Sequence, residues 1–189
     1  LRALRLLREV PLVAAEDTRQ TQKLLDRHAI RARLVSYHEH NKLSRLDEIL
    51  TALGDGDVAL VSDAGTPGLN DPGYELVRAA LQAGYAVSPI PGPTAPVSAL
   101  VASGLPTDAF LYLGYLPRRA SERRRFLAGL KKLAYTLVFL ETPHRLDESL
   151  ADLLAVLGDR PAAAAREMTK LHEEILRLPL SALLSHFKQ

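Results

Sequence analysis

The stretch Val58–Pro93, VALVSDAGTPGLNDPGYELVRAALQAGYAVSPIPGP, decides how the chain is read. It opens with a short apolar run, Val58–Val61, of a length and composition that suit a buried strand. A dense loop follows from Ser62 to Gly73. Three glycines and two prolines lie between Ala64 and Gly73, where Gly permits positive φ and Pro sets φ near −65°. Tyr74–Ala83 carries a helical pattern closed by Gly84. A second strand is expected over Tyr85–Ile90, running into the tight loop Pro91-Gly92-Pro93, with Thr94 as N-cap of a helix that has Pro96 in its first turn. Strand–loop–helix repeated in this way predicts a parallel sheet with right-handed crossovers. Both loops would then lie at the carboxyl ends of strands, where open α/β sheets bind ligands. They read either as facing walls of one pocket or as stiff ordinary connections.

The chain has 189 residues, 47% of them hydrophobic, and no Cys. That is enough for one large or two small domains with a core needing no disulfides. The absence of Cys excludes a thiolate zinc site and fits a reducing cytosol. No run of 18 apolar residues exists, so no membrane span is expected. The first residue is Leu1 within a helical pattern, and an N-terminal piece ahead of it is expected. Net charge is +2, but Arg supplies 18 of the 24 basic residues. Arg suits phosphate forks, although a high-GC genome explains the bias equally well.

Upstream, Leu1–Glu9 reads as an amphipathic helix and Leu12–Ala15 as a strand running into Glu16-Asp17-Thr18-Arg19. Asp17 or Thr18 could cap the helix Arg19–His28, and Asp17 suits a functional role equally. Glu16 and Arg19 have no such local explanation and are site candidates. Arg33–Tyr37 reads as a strand leading into His38-Glu39-His40-Asn41, whose H-x-H spacing lacks a third ligand, so a substrate-facing loop is favoured over a metal. Ser44 with Asp47 resembles a capping box ahead of a helix ending at Gly54.

Downstream, Gly104–Asp108 is the candidate domain boundary, dividing the chain into 1–106 and 107–189. Phe110–Leu116 is a strand. Arg118–Arg125 holds five Arg in eight residues, a solvated helix face or a phosphate contact, with Ser121 as cap of the helix running to Lys132. Tyr135–Leu140 is a strand emptying into Glu141-Thr142-Pro143-His144-Arg145 ahead of a leucine-rich helix. Ala162–Arg166 and Glu173–Leu178 form an antiparallel hairpin, and Leu180–Phe187 is a last helix. No P-loop, G-x-G-x-x-G or G-x-S-x-G motif is present. The residues alone thus indicate a two-lobed α/β protein with a stiff pocket and Arg-rich flanks, without naming a reaction.

The blocks VAAEDTRQT, LVSYHEHN, SDAGTPGLNDPG, PIPGPTAPVSAL, FLETPHRL and REMTKLHEE, in order along nearly the whole chain, resemble the family of ribosomal small-subunit RNA methyltransferase I, within the tetrapyrrole-methylase superfamily. The resemblance implies two α/β domains, the first mainly parallel and the second with a mixed sheet, usually in a homodimer. S-adenosylmethionine would lie between the domains, with no metal. The implied reaction is methylation of the ribose 2′-hydroxyl of a decoding-centre cytidine in 16S ribosomal RNA, in the cytoplasm. It also implies a first strand and Gly-Asn loop ahead of Leu1 and a last strand beyond the C-terminus. On this basis Ser62, Asp63, Ala64, Gly65, Thr66 and Pro67, with Pro91, Gly92, Pro93, Thr94 and Ala95, are expected to hold the cofactor. Asp17, Asp63 and Glu141, at strand ends, are candidate bases for the weakly nucleophilic hydroxyl. Arg19, Arg118, Arg119, Arg123, Arg124, Arg125 and Arg145 are expected to meet RNA phosphates, so that Arg123→Ala with Arg124→Ala would weaken RNA binding. A methylase of a small tetrapyrrole, or a non-catalytic RNA-binding module, are the alternatives.

Overall fold

The computed structural model describes residues 1–188. The chain divides into two compact units, Leu1–Pro93 and a second from Thr94 onward.

The first unit is built on a three-stranded parallel sheet in the order β2-β1-β3, with β1 (Leu12–Ala15) between β2 (Arg33–Ser36) and β3 (Val58–Val61). All four residues of β1 are buried, as their continuous apolar run requires of a central strand. Alternate side chains serve opposite faces. Leu12 and Ala14 pack with Val35, Tyr37, Ile49 and Leu76, beneath α3 (Leu46–Asp55) and α4 (Tyr74–Gln82). Val13 packs with Leu7, Val10, Leu25 and Ile30, beneath α1 (Arg2–Glu9) and α2 (Thr18–Arg27). Burying one such Leu or Ile contributes on the order of 1.5–3 kcal/mol, which is why a four-residue strand holds its place.

The expected strand Tyr85–Ile90 is not formed. Pro89 removes a ladder donor, and Val87 and Ile90 are exposed, so this segment is ill-suited to a sheet ladder and gains little from burial. One capping expectation also fails. α3 starts after Arg45, and the Ser44 hydroxyl donates instead to the Asn41 carbonyl at 2.9 Å. Thr94 does occupy the N-cap position of α5 (Ala95–Ala102), but its hydroxyl makes no capping bond.

The second unit holds α5, which packs against β5, a parallel pair β4 (Phe110–Tyr115) and β5 (Thr136–Leu140), and an antiparallel pair β6 (Pro161–Arg166) and β7 (Glu174–Pro179). α6 (Ala120–Leu130) and α7 (Leu146–Leu157) pack their leucines over β4 and β5, and α7 and α8 (Leu180–Phe187) cover the hairpin. The helix α6 starts after Arg119, so Ser121 lies inside it rather than capping it. The register of β4 against β5 shifts between Tyr112 and Tyr115, a bulge of the kind that re-aims a strand end.

Candidate functional site

From β1 the chain crosses through α2 to β2, then through α3 back past β1 to β3. The two crossovers cover opposite faces of the sheet, since Leu25 and Ile49 belong to the two separate cores. The winding direction therefore reverses between β1 and β3. A crevice beyond the carboxyl ends of such a pair is where open α/β sheets take ligands.

Those two ends are tied to each other. The Glu16 N–H donates to the Val61 carbonyl at 3.1 Å. The Asp17 N–H donates to Asp63 Oδ1 at 3.3 Å, and the Asp63 N–H donates to Glu16 Oε2 at 3.2 Å. Each tip thus lends a carboxylate to the other's backbone. Asp17 also caps α2, accepting from the Arg19 N–H at 2.8 Å and from the Arg19 guanidinium at 3.1 and 2.8 Å. Ser62 Oγ donates to the Ala64 carbonyl at 3.0 Å, turning the chain into the Gly- and Pro-rich loop. Asp63, Ala64, Gly65 and Thr66 are exposed, and Ser62 and Pro67 half-buried.

The Arg19 side chain first, then its backbone N–H, holds the Asp17 carboxyl at about 2 against an ordinary 3.8. A carboxylate whose pKa is depressed on folding stabilises above its ordinary pKa, and the contribution is lost as pH falls through the folded value. The Asp17 cap is therefore expected to persist through pH 4 and to be lost only near pH 2. A carboxyl-carbon NMR titration reads this directly, and Arg19→Ala should return the midpoint toward 3.8.

Asp71, which the sequence reading passed over, is the one ionisable residue between Ala64 and Gly73. Burial raises its pKa, the charge of Glu16 adds to this, a hydrogen bond with Ser62 opposes it, and Asp63 raises it further. It belongs with Glu16 and Asp63 electrostatically. Its signal in the sequence is its isolation among Gly, Pro and uncharged residues. At the neighbouring end of β2, Asn41 bridges the chain, accepting from the His38 N–H at 2.7 Å and donating to the Ser36 carbonyl and hydroxyl at 3.1 Å. Lys42 then joins Glu39 and Glu75 at 2.9 and 2.6 Å, fastening this loop to α4. Among the described residues no three potential metal ligands converge. A shallow depression lined by Val10, Pro11, Gln22, Asp26, Ile30 and Arg33 lies at the opposite, amino-terminal ends of β1 and β2.

In the second unit, Glu141 follows β5 and is 8% exposed. It accepts from the Ser149 hydroxyl at 2.6 Å and the Thr142 N–H at 2.8 Å, and pairs with Arg145 at 3.2 Å. The arginine run separates into two kinds. Arg118, Arg119, Arg124 and Arg125 are exposed. Arg123 is 1% exposed and bonded to Asp152 at 2.7 Å, so it is inaccessible to a phosphate and its expected RNA contact is withdrawn. Helical spacing explains this: Arg123 stands four residues before Leu127, on the face that packs inward. Arg145 is likewise turned inward, donating to the Leu116 and Pro117 carbonyls at 2.7 and 3.2 Å. Arg19 is exposed, but Asp17 matches its charge.

The tetrapyrrole (corrin/porphyrin) methylase family matches residues 1–184. The ribosomal RNA small subunit methyltransferase I of Micromonospora olivasterospora is 54% identical over 189 residues, which cover 100% of this chain and 60% of that one. The Thermotoga maritima protein of the same name is 47% identical over 190 residues, covering 100% of this chain and 85% of its own. The chain spans roughly three-fifths of the length of the first curated relatives it matches. Among solved structures, a cobalt precorrin-4 methyltransferase aligns with TM-score 0.69 and 16% identity over 100% of this chain and 82% of that one. The Thermus thermophilus uroporphyrin-III C-methyltransferase, complexed with S-adenyl homocysteine, aligns with TM-score 0.61 and 22% identity over 98% and 84%. These two structures show the fold, while the closer sequence matches narrow the family. The chain belongs to the ribosomal RNA small subunit methyltransferase I family of the tetrapyrrole methylases.

Proposed function

We propose that the whole protein transfers a methyl group from S-adenosylmethionine to the ribose 2′-hydroxyl of a cytidine in 16S ribosomal RNA, acting as a homodimer in the cytoplasm. The observation that carries this reading is the cluster of carboxylates at the β1–β3 reversal, Glu16, Asp17, Asp63 and Asp71. Carboxylates there suit the positively charged sulfonium and amino groups of the donor, and the loop Ser62–Pro67 is exposed enough for close approach. The Thr94 hydroxyl is buried without a partner, as a group awaiting a ligand would be. In this reading Ser62–Pro67 and Pro91–Ala95 hold the donor, which supplies an intrinsically reactive methyl group. The protein's part is alignment and exclusion of water, worth on the order of 7–11 kcal/mol when geometry is good.

Removal of the hydroxyl proton falls to Asp63 in this proposal. Asp17 is a weak base, with its carboxyl held near 2, and Glu141 is committed to Ser149, Thr142 and Arg145. Asp17 and Glu141 then orient neighbouring groups. The exposed Arg118, Arg119, Arg124 and Arg125 face the RNA backbone. The two domains of this reading are 1–106 and 107–189, with their boundary in Gly104–Asp108. That a cobalt precorrin-4 and a uroporphyrin-III methyltransferase are similar at 16% and 22% identity bears on fold alone, whereas the relatives near 50% identity carry the RNA name. Among the described residues no helix is long and apolar enough to cross a membrane.

The test is incubation of the full-length protein with labelled donor and either small ribosomal subunits or a porphyrinoid, followed by mass mapping of ribose methylation. Label on a cytidine ribose is expected. Label on the porphyrinoid alone, or RNA binding without donor binding, would replace this reading by one of its two rivals. In the same assay Asp63→Asn should lower kcat by about 10²-fold, the low end for a general base.

A further inference from the structure

Between the end of β4 at Tyr115 and the start of α6 at Ala120, the Arg119 carbonyl accepts from the Arg123 N–H at 2.9 Å, while Leu116, Pro117 and Arg118 lie outside strand and helix. Leu116 is nevertheless 2% exposed. Buried carbonyls need donors, and here two arginines from other elements supply them. Arg145 donates to the carbonyls of Leu116 and Pro117. Arg123 donates to those of Pro117 and Arg118, at 3.3 and 3.1 Å. Three consecutive carbonyls are thus gripped from behind by two guanidinium forks. The forks are themselves held: Arg145 by Glu141, which Ser149 supports, and Arg123 by Asp152 with Glu148 at 3.6 Å. Glu148, Ser149 and Asp152 lie within just over one turn of α7. The side chains of Arg118 and Arg119 are exposed, Arg119 with a loose, solvent-facing pairing to Glu122 at 3.5 Å.

We infer that Arg123 and Arg145 are positioning residues that fix the Leu116–Arg119 segment as a rigid mount, presenting Arg118 and Arg119 together to the phosphates of the RNA substrate. The inference rests on the RNA reading proposed above. A charge free to wander on a loose loop loses side-chain and backbone entropy when it meets a phosphate. A mount held through three carbonyls has already lost the backbone part. Arg123 spreads its contacts over Nε, Nη1 and Nη2, whereas Arg145 meets both carbonyls and Glu141 through Nη2, which reaches one bond further from the backbone than a Lys nitrogen. A Lys ammonium keeps the charge but not that geometry.

The experiment uses the full-length protein and small-subunit RNA, with RNA affinity measured over a salt series. Arg118→Ala with Arg119→Ala should weaken binding and reduce the slope of log affinity against log salt by about 1, somewhat over one single-strand phosphate contact. Arg145→Lys should weaken binding about fivefold and flatten the slope in the same sense, with donor affinity unchanged. Introduced into the Arg118→Ala, Arg119→Ala protein, it should have no further effect, an epistasis that general loss of stability would not produce. Ser149→Ala, which only slackens the hold on Glu141, gives a milder second variant should Arg145→Lys fold poorly, with about a twofold loss expected. If the double alanine variant weakens binding while Arg145→Lys and Ser149→Ala match the parent, the positioning role is overturned and the RNA surface stands. If the double alanine variant itself binds RNA like the parent, the RNA assignment of this surface falls, and the mount with it.

Discussion

Gly73→Ala is expected to destabilise the first unit by about 4 kcal/mol, combining roughly 1–3 for overpacking and 1–3 for backbone strain. A Cβ at this position would sit 2.8 Å from the Gly68 nitrogen, 3.0 Å from its Cα and 3.1 Å from a methyl of Leu60. The first two are backbone atoms of the same loop and cannot swing aside. The residue also holds φ +156° and ψ −34°, a region that side-chain-bearing residues scarcely enter. Gly84→Ala is the control. That glycine has φ +85° with nothing within 4 Å of its Cβ position, so only strain of about 1 kcal/mol applies. Urea melts of the two variants separate the terms. Equal losses would mean that the loop does not fold back on itself between Gly68 and Gly73. Because Gly68–Gly73 closes the loop that starts at Ser62, the Gly73 variant should also bind the methyl donor less tightly than the Gly84 variant.

Asp152→Ala should cost 3–5 kcal/mol, the usual range for breaking a buried pair from one side. Asp152 is 2% exposed and serves two guanidinium groups, Arg123 through Oδ2 and Arg124 through Oδ1. Its removal leaves Arg123, 1% exposed, with two neutral carbonyls and, as acidic partner, Glu148 at 3.6 Å, whose side chain is 75% exposed. Arg124 reaches solvent and loses little. Thermal or urea melts of Asp152→Ala test the magnitude. Replacing the pair together, by Arg123→Met and Asp152→Leu, should recover much of the loss, since apolar groups of similar volume often match a buried ion pair. A small loss from Asp152→Ala would show that Arg123 finds other compensation or is hydrated. The same geometry makes Arg123→Ala with Arg124→Ala a poor probe of RNA binding, because its effect runs through folding. Arg118 and Arg119 are the cleaner choice.

Local chemistry carried much of the architecture. β1 and β3 were legible because four apolar residues between breakers have few other uses; at the start of α2 the sequence offered Asp17 or Thr18 as cap, and the fold took Asp17. The misreadings share a cause. Tyr85–Ile90 has strand-like residues, but a strand exists only where a neighbour offers its ladder, and Pro89 lowers the incentive further. Ser44 and Ser121 are plausible caps whose hydroxyl or position was claimed by competing local geometry. The run Arg118–Arg125 looked uniform, yet one arginine in it faces the core, because α6 shows that position to α7.

By itself the sequence determined the alternation of strands and helices, the two Gly- and Pro-bearing loops, the family and the supply of arginines, all properties of short windows or of residue order. Only the tertiary structure decided which charges remain available. It joined Asp63 to Glu16 and Asp17 across more than forty residues, drew Asp71 into their field, and committed Arg123 and Arg145 to the carbonyls of Leu116, Pro117 and Arg118. The physical reason is that burial and pairing set what a charged group can do, and both depend on partners that the chain brings together only on folding.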